Sequence, residues 1–203
     1  MTAPARTPSP RQDELLELAY QYVLVHGLAG MSLRPLAKAI GSSPRVLLFL
    51  FGSKDALIRA LLDRARAEEL AAIAAFREME SPADLIDSAR QVWQWLSAPG
   101  HRHLLGLWVE AYARSLVDPA GPWSGFAAQT VQDWLGLLAS RQPPRWRRTA
   151  AAAAERTAVL ALLRGAMLDV LATGEEARTT QSVTLLLDAL PRRPRGVTAG
   201  SAR

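Results

Sequence analysis

The sequence predicts an all-α protein of about nine helices, and three observations support this. Apolar residues recur three and four positions apart along most of the chain, and no sustained alternation of period two indicates a strand. Glycine and proline residues divide this pattern into segments of helical length. The chain has 203 residues, of which 49% are hydrophobic and 21% charged, so it can bury a substantial core.

The first helix is predicted over 11–26, and a glycine-containing linker over 27–30 follows it. One apolar stripe runs along this helix, formed by Leu15, Leu18, Ala19, Tyr22 and Val23. The second helix opens at Ser32, whose hydroxyl we expect to accept a hydrogen bond from a free amide of the first turn. Pro35 lies in that turn, where its missing N–H does no harm, and Gly41 ends the helix.

The third helix lies within the segment GSSPRVLLFLFGSKDAL, which begins at Gly41. Ser43 is its predicted N-cap, Pro44 takes the first helical position, and Gly52 ends it. Two short helices joined by a three-residue turn that contains glycine indicate a helix-turn-helix. The second helix of such a unit enters the major groove of DNA with its N-terminal residues first. We expect Leu47 and Phe51 to anchor the helix to the core and the outward face to carry Ser43, Pro44, Arg45, Leu48 and Phe49.

The distribution of charge favours a polyanionic partner for the first quarter of the chain. Residues 1–60 contain seven basic and four acidic residues, whereas residues 61–191 contain thirteen basic and fifteen acidic ones. A basic segment on a slightly acidic body is typical of a nucleic-acid-binding head. Ordinary solvated surface charge is the alternative explanation.

Residues 12–60 also resemble the N-terminal domain of the tetracycline-repressor (TetR) family. The resemblance rests on His26-Gly27, on Ser32-Leu33-Arg34-x-Leu36-Ala37-x-x-Ile40-Gly41-x-Ser43, and on Leu47, Phe51-Gly52-Ser53-Lys54 and Leu57. It implies a homodimeric transcriptional regulator, usually a repressor that a small molecule releases from its operator. The chain departs from the family where a tyrosine, often beside a histidine, usually precedes the Phe51 position, because Phe49 and Leu50 stand there. A tyrosine hydroxyl can bind a phosphate oxygen and Phe49 cannot, although its ring can pack on a sugar or a thymine methyl.

The predicted DNA contacts follow from the chemistry of the side chains. Arg45 is the best candidate to read a base edge, because a guanidinium can bind guanine O6 and N7 together. Arg34 and Lys54 are candidate phosphate contacts, although each is also a plausible surface charge. The full predicted set is Ser32, Arg34, Ser42, Ser43, Pro44, Arg45, Leu48, Phe49 and Lys54. Arg6 and Arg11 are further candidates, for the minor groove.

Six more helices are predicted in the rest of the chain, over 53–80, 83–97, 101–117, 123–141, 145–173 and 177–190. Large aromatic residues in a helical body either form core or line a pocket for an apolar or aromatic ligand. The candidate ligand contacts are Trp93, Trp108, Tyr112, Phe126 and Trp134, with Glu110, Arg114 and Asp133 as candidate polar anchors.

The last two helices carry an apolar band that is wider than a single stripe, so we expect them to bury two sides. The resemblance implies a four-helix dimer interface built from these helices, whereas without it the same residues read as a monomer core. The candidate interface residues are Val159, Leu163, Ala166, Met167, Val170, Val183, Leu186, Leu187 and Leu190.

Catalysis, metal binding and cofactors are not expected. The chain has no cysteine, which excludes disulfides, thiolate metal sites and a cysteine nucleophile. It contains no HExxH, GxSxG or glycine-rich phosphate loop. We also find no signal peptide and no apolar run near the roughly 20 residues that span a bilayer, so we expect a cytoplasmic protein with no membrane partner.

The predicted organisation is a flexible arm over 1–10, a helix-turn-helix domain over 11–56, a ligand-binding and dimerisation domain over 57–190, and a flexible basic tail over 191–203. The predicted function is a ligand-responsive repressor that binds a palindromic DNA operator as a dimer. The alternative is a helical small-molecule-binding or protein-interaction module whose DNA binding is weak or lost.

Overall fold

The structure, a computed structural model, describes residues 9–28, 31–78 and 84–192. Within these ranges it contains nine α-helices and no strand, so the predicted all-α class is confirmed. The helices are α1 (Pro10–His26), α2 (Leu33–Ala39), α3 (Pro44–Phe51), α4 (Lys54–Glu78), α5 (Leu85–Ser97), α6 (Arg102–Val117), α7 (Phe126–Ser140), α8 (Ala150–Thr173) and α9 (Glu176–Asp188). Arg6, most of the predicted arm and most of the predicted tail lie outside the described residues.

Two helices begin later than the sequence predicted. α7 begins at Phe126 rather than at 123, because the chain before it forms turns that end at Gly125, whose φ is 77°. α8 begins at Ala150 rather than at 145, because Thr149 has an extended backbone and its hydroxyl accepts from the Ala152 amide at 3.1 Å. A separate 3₁₀ turn, Trp146–Arg148, occupies the residues in between.

The chain divides into two compact units. The first takes in residues up to 68 together with 103–127, and the second takes in 69–102 and the residues from 128 onward. The first unit therefore contains α1, α2, α3, the beginning of α4 and nearly all of α6. The second contains the end of α4 and the helices α5, α7, α8 and α9, with only the start of α7 outside it.

The core of the first unit includes one tyrosine of α1, and it is not the predicted one. Tyr20 is fully buried, whereas Leu18 of the predicted stripe is 42% exposed and Tyr22 is half-buried. The predicted stripe was wrong at these two positions, because α1 turns the face formed by Leu15, Ala19, Tyr20 and Val23 inward. Tyr22 instead stacks on His26, with 4.0 Å between the ring centroids.

A polar cluster joins α1 to α4 within the first unit. The Tyr20 hydroxyl donates to Glu68 at 2.9 Å, and Arg64 Nε donates to Glu17 at 2.9 Å. The Arg64 guanidinium also lies over the Tyr20 ring, 4.5 Å from its centroid. Burial raises the pKa of the Tyr20 hydroxyl, and the hydrogen bond from Arg64 lowers the pKa of the Glu17 carboxyl. The cluster holds the beginning of α4 against α1, the helix that precedes the helix-turn-helix.

Glu110 of α6 holds the turn that follows α1. Its Oε2 accepts from the Leu28 amide at 2.8 Å. Gly27 has a φ of 74°, and a Cβ at that position would come within 3.1 Å of the same oxygen. Glu110 was a candidate ligand anchor from the sequence. In the structure it binds the turn between α1 and α2 instead.

The second unit is built around α5, α8 and α9. Trp93 of α5 is buried, and its Nε1 donates to the Thr180 hydroxyl of α9 at 3.0 Å. Arg90 of α5 forms an ion pair with Asp188 at the end of α9. Arg102 closes the end of α8 by donating to the carbonyl of Leu171 at 3.0 Å. None of the helices in the described ranges has the length and apolar character to cross a bilayer.

Candidate nucleic-acid interface

Local signals set the limits of α3. Gly41 adopts a φ of 65° in the turn, and the Ser43 hydroxyl accepts from the Val46 amide at 3.2 Å. Gly52 ends the helix with a φ of 82°. The predicted cap at Ser43 and the predicted end at Gly52 are therefore confirmed. Ser32 takes the N-cap position of α2, as predicted, but its hydroxyl makes no capping hydrogen bond. The predicted hydrogen bond of Ser32 was therefore wrong.

α3 has one buried side and one exposed side. Leu47 is 1% exposed and Phe51 is 9% exposed, so these two residues anchor the helix in the core of the first unit. On the other side Phe49 is 77% exposed and Leu48 is 41% exposed, and Arg45 is exposed beside them. Phe49 and Leu48 together present apolar surface to solvent, and exposed apolar surface formed by several side chains is typical of an interaction site.

Three positive side chains lie on α3 and on the helices before and after it in the sequence. Arg34 on α2, Arg45 on α3 and Lys54 at the start of α4 are all exposed. In the part of the chain that the structure describes, no carboxylate forms an ion pair with any of the three. Their charge is thus available to phosphate groups. Arg11 differs, because it pairs with Glu14 at 2.6 Å.

The remaining predicted contacts are two serines and a proline of the turn. Ser42, Ser43 and Pro44 are half-buried. The Ser42 hydroxyl is buried and has no hydrogen-bond partner among the described residues, and its amide donates to the Ala37 carbonyl at 2.8 Å. Ser32 is exposed.

The candidate ligand contacts fall into both units. Trp108, Tyr112 and Phe126 belong to the first unit, and Trp93 and Trp134 belong to the second. Both of these candidates in the second unit donate their N–H groups within the chain, Trp93 to Thr180 and Trp134 to Glu69 at 2.7 Å.

The structure shows an aromatic cluster in the second unit that the sequence analysis missed. Phe76 lies 6.3 Å from both Trp95 and Trp134, measured between ring centroids, and Trp95 stacks on His101 at 4.2 Å. Next to it Glu69 is fully buried and accepts from Trp134. One signal was present in the sequence, since Glu69 lies four residues from both Ala65 and Ile73, which are buried apolar residues of the same helix.

The candidate interface residues of α8 and α9 are mostly buried within the single chain. This holds for Val159, Leu163, Ala166, Val170, Val183 and Leu187. Met167 and Leu190 are half-buried, and Leu186 is 49% exposed. Two further leucines that were not in the candidate set, Leu168 and Leu185, are 48% and 71% exposed. The open apolar surface of these helices therefore comprises Leu168, Leu185 and Leu186, named here the α8/α9 leucine patch.

No protein-family model matches the sequence, and no curated protein matches it. Solved structures do match. A TetR-family regulator from Rhodococcus sp. is 17% identical, with a TM-score of 0.69, and the match covers 89% of this chain and 98% of that one. A TetR-family member from Streptomyces coelicolor A3 is 27% identical, with a TM-score of 0.62 and coverage of 88% and 98%. The multidrug binding protein EbrR, complexed with imidazole, is 26% identical, with a TM-score of 0.61 and coverage of 95% and 100%.

These structures confirm the resemblance drawn from the first 60 residues and extend it over most of the chain. The chain has the fold of the TetR-family transcriptional regulators. The Rhodococcus and Streptomyces proteins are described as members of the TetR family, and EbrR is described as a multidrug binding protein. Among the described residues no group of three His, Cys, Asp or Glu side chains is placed to hold a metal ion.

Proposed function

We propose that this chain, a transcriptional regulator of TetR-family fold, binds a palindromic operator as a homodimer and represses transcription until a small aromatic molecule releases it. The observation that carries this proposal is the exposed side of α3, where Arg45, Leu48 and Phe49 face solvent without a protein partner among the described residues. The protein is proposed to act in the cytoplasm.

The geometry of the helix-turn-helix supports binding in the major groove. α3 is 8 residues long, and its N-cap is held by Ser43, so its first turn is rigid. Arg34 and Lys54, on the neighbouring helices, supply charge for the phosphates that border the groove. Two copies of α3 in a dimer would meet successive major grooves about 34 Å apart on one face of the duplex.

Selection of bound DNA from a random pool tests the proposal. We expect an enriched palindrome whose half-sites lie about one helical turn apart. Affinity for it should fall steeply with salt concentration, because several phosphate contacts release counterions. A pool that shows no enrichment would instead favour a helical small-molecule-binding or protein-interaction module that has lost DNA binding.

Arg45 and Lys54 should affect binding in different ways. The Arg45→Ala variant should lose about 1–3 kcal/mol on the selected operator and should bind duplexes with a changed guanine as well as it binds the original. The Lys54→Ala variant should weaken binding to all sequences alike and reduce the salt dependence by about one phosphate contact. Titrations of both variants against the operator and single-position mutants measure this. Identical effects of the two substitutions would contradict the assigned roles.

The effector is proposed to be a small aromatic molecule. Structures similar to this chain include EbrR complexed with proflavin, with ethidium and with malachite green, at 23–27% identity. The second unit of this chain offers aromatic rings at Phe76, Trp95 and Trp134 beside the buried carboxylate of Glu69. Of these rings, Trp134 is buried, and Phe76 and Trp95 are half-buried. Aromatic side chains with a few polar groups are typical of a ligand site, and aromatic faces beside a carboxylate favour a cation.

Malachite green, a cationic dye, tests this assignment in the absence of DNA. It should quench the tryptophan fluorescence of the protein. Glu69→Gln should weaken its binding about tenfold, because the coulombic attraction between the carboxylate and the dye cation is lost. A neutral aromatic compound, used as the control, should bind both proteins equally. Bound dye should also weaken operator binding, since the two equilibria are linked. Equal affinity of both proteins for the dye would remove Glu69 from the site.

A further inference from the structure

The exposed side of α3 is almost entirely apolar. Within Pro44–Phe51, Arg45 is the sole residue whose side chain carries a hydrogen-bonding group. Among the seven others, Val46, Leu48 and Phe49 are 39%, 41% and 77% exposed. A helix whose solvent side consists of one arginine and three hydrocarbon side chains has little hydrogen-bonding chemistry with which to distinguish bases.

Arg45, Leu48 and Phe49 form one continuous face. They are spaced i, i+3 and i+4, so their side chains project from the same side of the helix. Leu47 and Phe51 project into the core. The hydroxyl of Ser43, just before this face, already accepts from the Val46 amide. The side of α3 that can enter a groove therefore presents a guanidinium near its start and two hydrocarbon groups one turn later.

The major groove offers each of these groups one kind of partner. Guanine presents the acceptors O6 and N7, which suit the guanidinium of Arg45, and thymine presents its C5-methyl group, which suits a hydrocarbon side chain. Adenine and cytosine present amino donors there, and these require an acceptor side chain that α3 does not carry. An apolar side chain placed over an amino group would leave that group without a hydrogen bond.

From this juxtaposition we propose that α3 recognises its half-site through a guanine bound by Arg45 and through thymine methyl groups packed against Phe49 and Leu48. The inference rests on the proposed DNA-binding function and specifies which bases that function selects. Phe49 is thus a specificity-determining residue, because its ring contacts the methyl group even without the hydroxyl that a tyrosine would offer to a phosphate.

Replacement of thymine by uracil isolates the methyl group, because the two bases have the same hydrogen-bonding edges and differ only at C5. The operator is obtained from the random-pool selection and resynthesised with uracil at one symmetry-related pair of thymines at a time. At one or two pairs we expect affinity to fall about 15-fold, which corresponds to about fourfold for each buried methyl group. Operators with uracil at any other pair should bind the protein with unchanged affinity.

Variants of Phe49 connect this effect to the side chain. The Phe49→Ala protein should bind the thymine and uracil operators equally at the sensitive pair. The Phe49→Tyr protein keeps the ring and should keep the preference for thymine. Val117→Ala is the matched control, because Val117 is 82% exposed in the same unit but lies outside the helix-turn-helix. It should behave as the wild type does, and circular dichroism should show all three variants folded.

The outcomes separate this inference from the function on which it rests. A selected operator that tolerates uracil at every thymine pair would overturn methyl recognition and leave DNA binding intact. Sensitivity to uracil that persists in Phe49→Ala would assign the methyl contact to another residue and overturn the role of Phe49. Failure to select any sequence would overturn both the proposed function and this inference.

Discussion

Leu186→Glu is expected to make the protein monomeric and to lower its affinity for a two-half-site operator by a factor of about 10² to 10⁴. Leu186 lies in the α8/α9 leucine patch and is 49% exposed, next to Leu185, which is 71% exposed. If this patch meets a second copy of the chain, a carboxylate there would be buried without a partner. Without the dimer, the second half-site would no longer be held at a high effective concentration.

Sedimentation velocity and operator titration measure the two effects in parallel. Leu116→Glu is the matched control, since Leu116 is 66% exposed on α6 and lies outside the patch. It should remain dimeric and bind the operator normally. A duplex with a single half-site should bind Leu186→Glu and the wild type with similar affinity. This result would show that the helix-turn-helix of the variant is intact. A Leu186→Glu protein that stays dimeric would remove the patch from the proposed interface.

Leu47→Ala is expected to lower the free energy of unfolding of the first unit by about 2 to 5 kcal/mol. Leu47 is 1% exposed and belongs to the core that includes Leu36 of α2 and Leu57 of α4. Truncation would leave a cavity on the buried side of α3, which has only Leu47 and Phe51 as its buried residues. The expected result is a helix-turn-helix that unfolds at lower temperature and binds DNA weakly.

The neighbouring residue provides the control for this prediction. Leu48→Ala makes the same chemical change at a position that is 41% exposed, so its effect on stability should be within about 0.5 kcal/mol. Urea unfolding followed by circular dichroism measures both variants, and operator titration at low temperature measures their binding. If the two substitutions were equally destabilising, the orientation of α3 described above would be wrong.

Much of the helix-turn-helix could be predicted from the sequence, because its determinants are local. The Ser43 cap joins a hydroxyl to an amide three residues away, and Gly52 ends α3 because its φ of 82° suits a residue without a Cβ. The spacing of Leu47 and Phe51 was enough to identify the buried side of α3. Such signals lie within one or two turns of the helix they control, so no knowledge of the tertiary fold is needed to read them.

The errors in the same region arose where an alternative was equally good locally. Ser32 has the residue type and position of an N-cap, but its hydroxyl does not cap α2. Tyr20 and Tyr22 are both reasonable members of an apolar stripe, and the three-and-four spacing from Leu18 and Ala19 favoured Tyr22. The structure buries Tyr20, because its hydroxyl reaches Glu68 on α4, 48 residues along the chain.

By itself, the sequence determined the all-α class, the limits of α3 and the likeness of the chain to the TetR family, since helical periodicity, caps and glycine stops act over a few residues. Only the tertiary structure decided which polar groups are buried and which apolar groups stay open. Glu69 accepts a hydrogen bond from Trp134, which lies 65 residues further along the chain. Leu187 is buried in the core, whereas Leu186 beside it remains exposed. Burial of this kind depends on how distant helices pack, and the pattern of one helix does not specify its neighbours.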